Sequence, residues 1–176
     1  IRVYVWGAGP VILLIHGWAG RAAQFRKFIP ELVSANFRVV GFDGPAHGES
    51  TGRSTNIQEF ETVLRSLYER FGTPEGIIAH SFGGSAALYA AMRGLPIKKL
   101  INIASPTIGD QIIHTYLKTI NGSAATALAF KRHIYQVTGQ PFENFTALHF
   151  IRHIRQHIAL LLVHDKHDEE VPLDHA

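Results

Sequence analysis

The chemistry in this sequence gathers around one serine. Gly76-Ile77-Ile78-Ala79-His80-Ser81-Phe82-Gly83-Gly84 is a short apolar run that meets a serine, then small residues, then a helix-forming stretch. A serine placed between a strand and a helix sits on a tight, strained turn with its hydroxyl presented outward, and small neighbours let the backbone turn that sharply. The pattern for such an elbow is G-x-S-x-G; here Ala79 stands at the first glycine, and alanine is small enough for the turn. The first N–H groups of the following helix point at the same place and favour a developing oxyanion. The alternative for Ser81 is a serine that simply caps the helix.

Three other segments could complete an acyl-transfer site. Leu14-Ile15-His16-Gly17-Trp18-Ala19-Gly20 is a strand ending in a glycine-rich loop, which offers backbone N–H groups without side-chain obstruction. An oxyanion needs such donors, usually two; the N–H groups of Trp18 and Phe82 are chosen. His16 reads as a packed, loop-bracing residue. In Asp43-Gly44-Pro45-Ala46-His47-Gly48-Glu49-Ser50 an acid/base pair of Asp43 and His47 is conceivable, but both fall where the loop itself needs hydrogen bonds. In His164-Asp165-Lys166-His167-Asp168-Glu169-Glu170-Val171-Pro172 a carboxylate after a late strand can orient and charge-stabilise a catalytic histidine. Asp168 is the first choice and Asp165 the alternative. A metal reading through His164, His167 and Asp168 matches no strong zinc spacing. His149, His153 and His157 would line one face of an unbroken helix, but a strand must begin near Ala159, so they read as a polar surface.

The elements that must position these residues alternate between short apolar runs and amphipathic stretches. Buried strands are expected at Val11–Ile15, 38–42, 76–79, 100–104 and Ala159–Val163. Helices are expected at 24–35, where Pro30 shortens or kinks the helix, at Ile57–Phe71 and at 85–93. This rhythm predicts an α/β fold: a mostly parallel sheet flanked by helices. Between Pro106 and Ile158 no strand is expected, only helices near 112–120, 124–137 and 145–154. So long an insertion is unusual for a connection. It would sit over the carboxyl ends of the strands, where open α/β sheets bind ligands, and it reads as a helical lid over about residues 106–157 of a single domain, 1–176.

Composition narrows the function classes. Hydrophobic residues are 46 % and charged residues 18 % of the 176 residues, as in a globular domain with a real core. The formal charge is only +3 and the basic residues are scattered, so no nucleic-acid partner is expected. No apolar run is long enough for a membrane span, and Ile1 to Trp6 does not read as a signal peptide. With no cysteine, disulfides and thiolate metal sites are excluded, and a reducing, cytoplasmic location is expected. The oligomeric state is not set by the sequence.

Taken in order from Val11 to Pro172, these landmarks resemble the α/β-hydrolase superfamily, in particular lid-bearing bacterial serine hydrolases with an oxyanion loop like His16-Gly17-Trp18. The resemblance implies that Ser81 is the nucleophile, Asp168 the triad acid, and that no cofactor is needed. A serine at the elbow argues against the dehalogenase and epoxide-hydrolase members, which use an aspartate there. In this family the catalytic histidine follows one more helix and strand after the Asp168 segment, so it is expected beyond Ala176. Further sheet is expected before Val11, making the chain incomplete at both ends. His175 is too close to Asp168 in sequence to be a good base, and His80 is adjacent to Ser81 and should point elsewhere. The expected function of the intact protein is a carboxylesterase-like hydrolase acting on a small-molecule acyl substrate through an acyl-enzyme. This chain alone is expected to be nearly inactive. The alternatives are an inactive hydrolase-fold protein that binds a ligand or partner, and a metal-dependent hydrolase.

Overall fold

The computed structural model describes residues 1–176. Six strands form one sheet: β1 (Arg2–Trp6), β2 (Val11–Ile15), β3 (Arg38–Asp43), β4 (Gly76–His80), β5 (Lys99–Ile103) and β6 (Ala159–Val163). Their order is β1-β3-β2-β4-β5-β6. β1 pairs antiparallel with β3, and every other pairing is parallel. Parallel neighbours need crossovers, and the helices supply them: α1 (Ile29–Ser34), α2 (Ile57–Phe71), α3 (Phe82–Met92), α4 (Gly109–Thr119), α5 (Ala124–Thr138) and α6 (Ala147–His153).

The strands sort their side chains by alternation. Val11, Leu13 and Ile15 join Val40, Phe42, Ile77, Ala79 and Leu100 in the larger core, under α2, α3 and α6. Ile12 and Leu14 face the other way and pack with Val39, Ile78 and Phe25, against which Ile29, Leu32 and Val33 of α1 close. β2 is buried along its whole length, which is why its sequence is continuously apolar.

Four local results differ from the sequence expectations. The helix expected over 24–35 is a 3-10 turn at Ala22–Phe25 followed by the short α1, with Pro30 in its first turn. Proline has no N–H to donate, so it fits where no helical bond is required and cannot lie in a helix interior. Arg2–Trp6, read only as lacking a leader, is an antiparallel edge strand. α3 begins at Phe82 rather than 85. The stretch 145–154 divides into a 3-10 turn at Phe142–Phe145 and α6, whose N-cap is Thr146. No helix is long and apolar enough to cross a membrane.

Candidate active site

Ser81 joins β4 to α3 with φ +52° and ψ −124°. A side chain rarely occupies that backbone region, and such a residue persists only where its surroundings over-determine it. Both of its peptide groups are held. Its N–H donates to the Ile103 carbonyl at the end of β5 (2.8 Å) and its carbonyl accepts from the Gly84 N–H (2.9 Å). The Ser105 hydroxyl donates to that same carbonyl (2.9 Å). The Ser81 hydroxyl does not cap α3, so the helix-capping role does not account for this serine. α3 comes so close to β2 that a Cβ on Gly83 would overlap the carbonyls of Ile15 and His16.

The loop after β2 lies against this elbow: a Cβ on Gly17 would stand 2.9 Å from the Ser81 Cβ. The half-exposed Trp18 ring packs edge-on against Phe82, 5.4 Å between centroids, and against His47 at 5.6 Å. The backbone N–H groups of Trp18 and Phe82 donate to no protein acceptor. Two unspent donors beside a strained serine are the equipment an oxyanion requires.

Beneath this loop, polar side chains brace the backbone. Asp43 accepts from the Ala22 N–H (2.8 Å) and the Glu49 N–H (2.9 Å), and from the Tyr4 hydroxyl (3.1 Å). Burial works against its charge, but these donors outweigh burial and hold its carboxyl below the ordinary carboxylate value. Asp43 and His47 are therefore occupied as loop supports and do not pair with each other. His16 is fully buried, with Nδ1 2.7 Å from the Gly17 carbonyl and Nε2 accepting from the Gly44 N–H (2.8 Å). Burial lowers its pKa.

Asp168 is half-buried in the loop after β6. Its Oδ1 accepts from the N–H groups of Glu170 (2.9 Å) and Val171 (2.8 Å), while Oδ2 takes no hydrogen bond. The exposed Asp165 caps its own turn through the His167 N–H (2.9 Å). His80, next to Ser81, has a pKa lowered by burial, and the charges of Asp168 and Glu170 pull it the other way.

The rings of His175 and His164 are committed to backbone groups. His175 is buried, and its Nδ1 accepts from the N–H groups of Thr107 (2.9 Å) and Ile108 (3.1 Å). A triad histidine must offer an Nδ1–H to its carboxylate, and this one cannot. His164 Nε2 donates to the Val171 carbonyl (2.6 Å). α6 ends at His153, so His149 and His153 stack at 4.1 Å while His157 leaves their face. No three or more His, Cys, Asp or Glu side chains gather as metal ligands. Two contributors escaped sequence reasoning. Ser105 holds the Ser81 carbonyl, and Gln24 lies 3.1 Å from His80 Nδ1. Neither carries a local motif; each acts across the chain.

Comparison with known proteins places this geometry. The magnesium-chelatase 30 kDa subunit of Rhodobacter capsulatus is 36 % identical over 99 residues, 54 % of this chain and 34 % of that protein. The Bos taurus protein phosphatase methylesterase 1 is 33 % identical over 103 residues, 53 % of this chain and 27 % of that protein. The matched part thus spans about a third or less of these relatives' length. Among solved structures, an esterase of Exiguobacterium antarcticum superposes with TM-score 0.69 at 16 % identity, covering 98 % of this chain and 80 % of that one. Rv0554 of Mycobacterium tuberculosis superposes with TM-score 0.74 at 14 % identity, covering 99 % of this chain and 78 % of that one. The family model described as alpha/beta hydrolase fold matches residues 10–170, and the chain belongs to that family.

Proposed function

We propose that the intact protein is a serine hydrolase that cleaves an ester-like or other acyl bond of a small-molecule substrate through an acyl-enzyme intermediate. The observation that carries this reading is Ser81: a strained residue at φ +52° whose hydroxyl is not used to cap the helix behind it. Relatives named as a methylesterase and an esterase support ester chemistry.

In this mechanism the Ser81 Oγ attacks the carbonyl carbon as a histidine takes its proton. The carbonyl oxygen, now negative, is held by the N–H groups of Trp18 and Phe82. The histidine returns the proton to the leaving group, and water, deprotonated by the same histidine, releases the acyl group. Asp168 fixes the histidine's tautomer through its uncommitted Oδ2. His175 and His164 are spent on backbone groups and are not assigned this role. The helices between β5 and β6 form the lid and shape the acyl pocket.

Turnover of a short-chain nitrophenyl ester by the full-length protein tests this. Wild type should be active, Ser81→Ala inactive, and Asp168→Asn slowed by about 10⁴-fold in kcat, the effect of a mis-set tautomer. An inactive wild type would favour a hydrolase-fold binding protein instead. Equal activity in Asp168→Asn and wild type would remove Asp168 from the triad.

A further inference from the structure

The loop carrying Trp18 and the loop following β3 are locked together by two histidines that trade places. His16 belongs to the first loop and its Nε2 accepts from the Gly44 N–H of the second (2.8 Å). His47 belongs to the second loop and its Nε2 accepts from the Ala19 N–H of the first (3.0 Å). Each ring turns its Nδ1 to a carbonyl of its own loop, His16 to Gly17 (2.7 Å) and His47 to Pro45 (2.9 Å). A carbonyl only accepts and an N–H only donates. The geometry therefore fixes both rings as neutral, with the proton on Nδ1 and the lone pair on Nε2.

What they hold is specific. The Gly17 carbonyl and the Trp18 N–H belong to one peptide plane. The His16 bond on that carbonyl fixes the plane, so the N–H points the opposite way, and hydrogen bonding at one end of an amide strengthens donation at the other. The Gly20 N–H donates to the same carbonyl (3.0 Å), so Trp18 and Ala19 are the middle of a closed turn. Ala19 has φ +55°, a conformation that needs support, and the His47 bond to its N–H supplies it. Trp18 is thus gripped by a histidine on the peptide before it and another on the peptide after it.

We propose that His47, with His16, is a positioning residue for oxyanion stabilisation: the neutral pair aims the Trp18 N–H at the reacting carbonyl, and protonation of either ring breaks the clasp and lowers turnover. This rests on the hydrolase reading above. Protonation turns Nε2 from acceptor to donor, so two N–H groups face each other and the strap is lost. The titratable groups acting on His16 are His47, Asp43 and His80. Asp43 in turn accepts from the Glu49 N–H and the Tyr4 hydroxyl. The remaining neighbours are the rings of Phe42, Phe60 and Trp18. Burial opposes a proton on His16, as do His47 and His80, while the Gly17 carbonyl bond and Asp43 favour one.

The test compares kcat and KM on p-nitrophenyl acetate for the full-length wild type, His47→Phe, His47→Gln and Ser81→Ala, from about pH 5 to about pH 8. Glutamine can place an amide oxygen near the Nε2 position and has no proton to gain. We expect His47→Phe to lose at least about tenfold in kcat, with KM within about twofold, because losing an oxyanion donor outright costs about 10²–10³. His47→Gln should recover most of that loss near neutral pH and keep a larger share of its activity in acid than wild type does. Wild-type kcat in His47→Phe overturns the proposal, as does a His47→Gln no faster than His47→Phe. If His47→Phe does not fold, His47→Gln decides alone, and an acid limb identical to wild type overturns the proposal. Undiminished activity in Ser81→Ala removes the hydrolase reading itself, and with it this proposal; that result is distinct from any His47 outcome.

Discussion

The chain up to Ser105 holds most of the buried residues, and the chain after it holds few. Of the 43 buried residues only five lie beyond Ser105: Ile113, Thr146, Ala147, Phe150 and His175. The first part encloses the elbow, the Trp18 loop and the Asp43 loop in a continuous core. In the second part α5 has no buried residue. The lesson is where rigidity is concentrated. Strain at Ser81 can be maintained only where packing is dense. The second part has few contacts of that kind. Phe150 packs on Tyr89 at 5.2 Å, and Lys131 ties Asp110 of α4 to Glu143 of the Phe142–Phe145 turn.

Substitutions in the two parts should therefore differ sharply. The largest effect is expected from Gly83→Val, where the new side chain would occupy the space of the Ile15 and His16 carbonyls; circular dichroism should find no cooperative melting. A folded Gly83→Val would mean α3 can withdraw from β2. Next comes Phe60→Ala. Phe60 is fully buried and meets the rings of His16, Phe42, His47 and Phe82. Its truncation should cost about 3–5 kcal/mol in urea unfolding.

Acid should act on the buried histidines of both parts. The folded-state pKa of His16 lies below its ordinary 6.5, chiefly through burial. A depressed pKa contributes stability that is full above 6.5 and is lost as pH falls from there through the folded value. His80, His149 and His175 carry the same sign. The urea midpoint should decline below about pH 6.5, before the carboxylates titrate; a midpoint flat to about pH 5 would contradict the assignment of His16 as a neutral buried ring. Smaller effects belong to the second part. Lys131→Met should cost no more than about 1 kcal/mol, because both of its carboxylate partners are largely exposed. Leu128→Ser, at a side chain 60 % exposed, should stay within about 0.5 kcal/mol. A large loss from Leu128→Ser would show that α5 is packed more tightly than its exposure implies.

How much of this was legible depended on whether the signal was local. α2 runs over Ile57–Phe71 as expected, since its apolar stripe lies between the Asn56 cap and Gly72. β6 matches for a similar reason, being a continuous apolar run. β1 was not read as a strand, because its partner is β3, some forty residues away, and no turn signal marks it. The Ser81 elbow was legible because strain at a serine leaves small residues around it. The histidine clasp was legible only in part: His16 and the Asp43 loop read as braces, but not the partners they brace, because Gly44 and Ala19 give backbone N–H groups that no side chain announces. Ser105 was hidden for the same reason, since it serves the Ser81 carbonyl across the sheet.

The central claim is that Ser81 is an activated nucleophile, and labelling tests it most directly. The full-length protein is treated with a fluorophosphonate probe and the modified peptide is located by mass spectrometry, with Ser81→Ala as control. The account predicts a single adduct on Ser81, absent from Ser81→Ala. A wild type that stays unlabelled, or an adduct that survives in Ser81→Ala, would contradict it.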